Sequence, residues 1–104
     1  MDKSEVLSII SDFKKSLEKQ KISINKIILY GSWSKGTQKD ESDIDLVVVS
    51  HDFENKSYWE RIDLLTEAIH DVFAPIEAIA VTPKEWEEEK SFICHFAKDS
   101  EIIT

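Results

Sequence analysis

Ile27-Ile28-Leu29-Tyr30-Gly31-Ser32, then ten residues, then Asp43-Ile44-Asp45-Leu46-Val47-Val48-Val49 decide how this chain folds. An apolar run closed by Gly-Ser predicts a buried strand that ends in a tight turn. The apolar run from Ile44 predicts a second strand. Side chains alternate along a strand, so Asp43 and Asp45 share one face while Ile44 and Leu46 enter the opposite layer. Two carboxylates side by side repel, which a stable fold would not choose unaided. A hard divalent cation relieves that repulsion, and Mg²⁺ typically binds through one or two carboxylates plus substrate phosphates. The Gly31-Ser32 turn predicts a seat for those phosphates, with backbone N–H groups and a hydroxyl facing the anion. Together these pieces suit a nucleoside triphosphate.

The remaining elements read outward from that pair of strands. Val6, Ile10, Phe13 and Leu17 recur at helical spacing and predict an amphipathic helix from Ser4 to about Gln20, with Ser4 as its N-cap. The strands are expected over 25–30 and 43–49, and a short helix from Ser32 to about Gly36, closed by Gly36 and the polar run 37–42. Trp59, Ile62, Leu65, Ile69 and Val72 mark a second long helix, which Pro75 ends. Residues 76–81 form a third strand. Thr82-Pro83-Lys84-Glu85 reads as a capping box with Pro at the first helical position. That last helix carries Trp86 inward and runs through Phe92, Ile93 and Phe96 to about Lys98, leaving room for a short terminal strand. The expected class is α/β (α+β): a small mixed sheet with helices mainly on one face, residues 1–104 making a single domain.

Composition narrows the function. A chain of 104 residues builds one modest core, with no second domain for a large substrate. Hydrophobic content of 41% with two Gly and two Pro argues against disorder. No apolar run approaches the ~20 residues of a membrane span, and no signal-peptide pattern is visible, so no membrane association is expected. The lone Cys94 makes no internal disulfide, which suits a reducing cytoplasm. A net charge of −8 disfavours direct nucleic-acid binding, which depends on Lys and Arg meeting phosphates. Glu85, Glu87, Glu88 and Glu89 read as a solvated helix face. His51, His70 and His95 make no metal-ligand spacing with Cys94 or each other. A homo-oligomer is compatible with the sequence.

One further acid stands out. Glu77 interrupts the apolar run Pro75-Ile76-Glu77-Ala78-Ile79-Ala80-Val81, where an unpaired charge is costly. Alternation puts Glu77, Ile79 and Val81 on one face and Ile76, Ala78 and Ala80 on the other.

The segment GSWSKGTQKDESDIDLVVVS resembles the signature of the nucleotidyltransferase superfamily that includes DNA polymerase β. The whole chain resembles that superfamily's smallest branch, the minimal nucleotidyltransferases encoded beside HEPN-domain proteins. The resemblance implies Asp43, Asp45 and Glu77 as catalytic and metal-holding carboxylates for two Mg²⁺ ions, and Gly31, Ser32, Lys35 and Gly36 as nucleotide-binding residues. It implies transfer of AMP from ATP to a hydroxyl, a tyrosine of a HEPN-type toxin, with the nucleotidyltransferase as antitoxin. The alternative is a non-catalytic module of the same fold that binds nucleotide or occludes a partner. Two positions depart from the family: Trp33 stands where Arg is common, and Glu77 where Asp is more frequent. Trp33 is expected to pack rather than meet phosphate, because aromatic side chains mostly supply buried area.

Overall fold

A computed structural model describes residues 2–31, 33, 43–89, 92–98 and 100–103. Its elements are α1 (Lys3–Lys19), β1 (Lys26–Tyr30), β2 (Ile44–Val49), a 3₁₀ turn (His51–Phe53), α2 (Tyr58–Val72), β3 (Ile76–Val81), α3 (Pro83–Glu87), α4 (Phe92–Ala97) and β4 (Glu101–Ile102). The expected short helix after Gly31 falls at positions 32–36, which lie outside the described residues apart from Trp33.

The strands form one mixed sheet in the order β3-β2-β1-β4. β1 pairs antiparallel with β2 and with β4, and β2 pairs parallel with β3. α2 supplies the crossover that parallel pairing requires. The alternating apolar residues divide between two layers. Ile27, Leu29, Ile44, Leu46, Val48 and Ile76 pack beneath α1 and α2, against Val6, Ile10, Phe13, Leu17, Leu65 and Ala68. Ile28, Val47, Val49 and Val81 face Trp86, Cys94 and Ala97 of the two short helices. Trp33 is buried in the first layer, as its aromatic bulk predicts.

Local chemistry sets the boundaries. α1 begins one residue earlier than expected: Asp2, not Ser4, is the N-cap, its carboxylate accepting from Glu5 N–H at 2.9 Å. Asp43 sits just ahead of β2 rather than inside it. The Thr82 capping box forms, with Glu85 at its N3 position. Glu85 is therefore not part of a purely solvated face, since it also pairs with Arg61 at 2.7 Å. The single helix expected to run to Lys98 is broken in two, because the chain enters the left-handed region at Glu89, with φ 51°. Trp59, expected on the buried stripe of α2, stands 71% exposed beside Tyr58, so the stripe starts at Ile62.

Candidate active site

One row across the sheet gathers the chemistry. Tyr30 of β1 pairs with Asp45 of β2, and Asp45 pairs with Glu77 of β3. Residues aligned in register present side chains to the same face, about 5 Å apart from strand to strand. The face is the one covered by α3 and α4, and the row lies at the end those helices leave open. Asp45 and Glu77, 32 positions apart in sequence, are thus neighbours by backbone pairing alone. The expected grouping of Asp45 with Glu77 is met, and Asp43 stands exposed close enough to act on Asp45 electrostatically.

The crowding of acids shows in their protonation. Burial, then the charges of Glu77 and Asp43, push Asp45 up to about 6, and a hydrogen bond with the Glu77 side chain adds to the rise. A hydrogen bond between two carboxyl groups requires one of them to hold a proton. The same row acts on Tyr30. Its phenol is raised to about 12 by burial first, then by Asp45 and Glu77, so it stays a neutral O–H at any physiological pH.

Gly31 closes the site from β1. Its φ is +73°, a conformation L side chains rarely adopt. A Cβ at this position would overlap Asp45 Oδ2, so only glycine lets the turn lie against that carboxylate. The glycine selected in the sequence for phosphate approach is thus also required for Asp45 to occupy its place. Ser32, Lys35 and Gly36, expected to meet phosphate, lie outside the described residues.

Tyr30 is the site residue that sequence reasoning missed. It was legible as the last member of an apolar strand, and its i, i+2 relation to Ile28 fixed its face. What the sequence did not supply was the pairing register that sets it beside Asp45.

The donor set is all oxygen. Among the described residues no three His, Cys, Asp or Glu side chains are arranged to hold a metal ion by themselves. Asp45 and Glu77 offer a two-carboxylate seat whose repulsion a cation would relieve, with further oxygens left to phosphate and water, as Mg²⁺ favours.

Comparisons with known proteins bear on the family and the fold. The family described as "Polymerase beta, Nucleotidyltransferase" matches residues 11–104. Two proteins of Methanocaldococcus jannaschii, each named "Putative protein adenylyltransferase", are similar in sequence. One is 37% identical over 62 residues, 60% of this chain and 61% of that protein. The other is 33% identical over 76 residues, 62% of this chain and 87% of that protein. The chain thus spans about three fifths of the first relative's length. A crystal structure titled as a "putative nucleotidyltransferase" from Sulfolobus solfataricus superposes with a TM-score of 0.63 at 19% identity, covering 98% of this chain and 87% of that one. That likeness speaks for the fold. With Asp45, Glu77 and the Gly31 turn assembled at one sheet end, and the family match running over both strands of the motif, the chain belongs to the polymerase beta nucleotidyltransferase family.

Proposed function

We propose that this protein is a Mg²⁺-dependent adenylyltransferase that moves AMP from ATP to a hydroxyl of a protein, a tyrosine of a HEPN-domain toxin, and thereby acts as an antitoxin in the cytoplasm. The observation that carries the reading is the in-register pair Asp45 and Glu77 beside a glycine turn that admits no side chain. The relatives named as protein adenylyltransferases support AMP as the group moved. An acidic chain of net charge −8 suits a basic, RNA-cutting partner.

Each residue has a task in this reaction. The acceptor oxygen attacks the α-phosphorus, the bond to the α–β bridging oxygen breaks, and pyrophosphate departs with that oxygen. Glu77, the more exposed of the pair, accepts the acceptor's proton. Asp45 and Glu77, with the charge of Asp43 close by, would hold Mg²⁺ together with phosphate and water oxygens; when bound it neutralises charge on the phosphates and lowers the acceptor's pKa. The N–H groups of the Gly31-Ser32 turn hold the β- and γ-phosphates in line, with Lys35 and Gly36 on the same segment. Tyr30 stays a neutral phenol beside the carboxylate row. Positioning and fixed charge supply most of the rate.

The test uses ATP labelled at the α- or the γ-phosphate, Mg²⁺ and a HEPN-domain protein. Label from the α-position should become attached to the HEPN protein's tyrosine, label from the γ-position should not, and Asp45→Asn should abolish attachment. Transfer of γ-label, or no transfer with both proteins folded and nucleotide bound, overturns the reading.

A further inference from the structure

The free edge of β3 is complementary to a second copy of itself. Among the described residues β3 is terminal in the sheet and pairs only with β2. Ile44 N–H donates to Pro75 C=O at 2.8 Å and Ser50 N–H to Val81 C=O at 3.0 Å, so the odd-numbered residues turn their main-chain groups toward β2. Alternation turns those of Ile76, Ala78 and Ala80 outward. Two of these groups are engaged within the chain: Ile76 N–H donates to Ala74 C=O at 2.9 Å, and Ala80 C=O accepts from Arg61 Nη1 at 3.3 Å. Ile76 C=O, Ala80 N–H and both groups of Ala78 bond to nothing among the described residues.

An antiparallel strand with Ala78 facing Ala78 across a two-fold axis sets Ile76 opposite Ala80. The engaged N–H of Ile76 then meets the engaged C=O of Ala80, and every free donor meets a free acceptor. An axis on Glu77 or Ile79 would instead set an engaged group against a free one.

The flanks of the edge match in the same sense. A groove of about 360 Å³ lies between Tyr58, Arg61, Ile62 and Leu65 of α2 and the edge residues Ala78 and Ala80. At the opposite end of α2, just before β3, Phe73 stands 95% exposed with φ 52°. Bulky side chains rarely adopt that conformation, and the ring remains in water, so Phe73 carries two costs. The axis at Ala78 reverses one copy on the other and brings the Phe73 end of each over the groove end of its neighbour. Charge does not oppose the approach. Helical spacing puts Glu60, Asp63, Glu67 and Asp71 on the side of α2 away from Tyr58, Ile62, Leu65 and Ile69, and the groove sets Lys56 and Arg61 against Glu85 alone.

We propose that two copies of this chain pair through β3 in this register, joining their four-stranded sheets into one. Glu77 then lies opposite Ile79 of the second copy on the reactive face. The row Tyr30, Asp45, Glu77 thus ends on an apolar side chain of the neighbour instead of on water. The two Glu77 side chains approach only diagonally, about 7–8 Å apart, at an exposed position where salt screens them.

Sedimentation of the full chain without nucleotide reads the pairing separately from any transfer. The chain should sediment as a dimer that dissociates on dilution, and exchange of the Ala78 and Ala80 amides should slow as concentration rises. Cross-linking reads the register. Ala78→Cys sets two α-carbons about 5.5 Å apart and should form a disulfide between copies under mild oxidation, whereas Ala80→Cys faces Ile76 and should not. Cys94 is buried and stays out of this reaction. Phe73→Gly removes the ring and suits the positive φ, so the dilute chain should resist urea better while the dimer weakens at least about ten-fold. The proposal falls if the folded chain stays monomeric at millimolar concentration, if Ala80→Cys cross-links as readily as Ala78→Cys, or if Phe73→Gly dimerises like the parent. It also falls if the edge amides are protected only on adding a HEPN-domain protein, which would make that protein the occupant.

Discussion

Asp45→Asn should make the protein more stable while removing its activity. The folded chain holds Asp45 at about 6 against an ordinary 3.8, because the carboxylate is partly buried and faces Glu77 and Asp43. A raised pKa means that the native state prefers the protonated acid. The corresponding stability is fully present below pH 3.8 and is lost as the pH rises through 6. A difference of about two between folded and unfolded values is worth about 3 kcal/mol at full strength. Much of this carboxyl is open to solvent, and screening reduces the figure to about 1 kcal/mol. Asparagine keeps the shape and removes the charge. At pH 7.5 urea denaturation should therefore show the variant about 1 kcal/mol more stable, with Tm raised by about 4 °C for a domain of this size. Near pH 4 the two proteins should converge. A variant less stable at pH 7.5, or a gain that is the same at both pH values, would refute the claim that carboxylate repulsion strains this row.

Three other perturbations probe different parts of the site and its support. Gly31→Ala meets both the positive φ and Asp45 Oδ2, so denaturation should report a loss of about 1–2 kcal/mol and transfer should fall steeply; unchanged transfer would remove the turn from the site. Glu77→Gln should lower the transfer rate by at least ~10²-fold with little change in nucleotide affinity, a kcat effect that steady-state kinetics separates from KM. Arg61→Met and Glu85→Gln should each destabilise, because Arg61 ties Glu85 to Ala80 C=O, and a double-mutant cycle should give a coupling of about 1 kcal/mol. Additive effects there would mean that the pair contributes nothing jointly.

The strands and the reactive face were legible because period-two alternation is a strong signal when runs such as Ile44 to Val49 are bounded by turn residues. Glu77 was legible as an acid in an apolar run, before any pairing was known. Features set by tertiary packing were not. Trp59 falls on the helical period, yet it stands in the first turn of α2, where the buried residues of that helix begin only further along at Leu65 and Ala68, and the tryptophan is left outside. The break in the last helix has no Gly or Pro to announce it; Glu89 takes φ 51° instead and reaches His95 at 2.7 Å. Asp2 displaced Ser4 as a cap because both are good capping residues and only the three-dimensional start of α1 distinguishes them. Tyr30 needed the register, which no local rule supplies.

The parallel pairing of β2 with β3 also has a kinetic consequence. Asp45 and Glu77 are 32 residues apart with α2 between them, so their repulsion arises only when β3 docks on β2. Interactions formed late act mainly on the rate of unfolding. At neutral pH the acid pair should therefore shorten the lifetime of the native state while leaving the speed of folding nearly untouched. Stopped-flow measurements on Asp45→Asn should show the unfolding arm displaced downward and the folding arm in place. A displaced folding arm would mean that β3 docks early, with the acid pair already formed in the transition state.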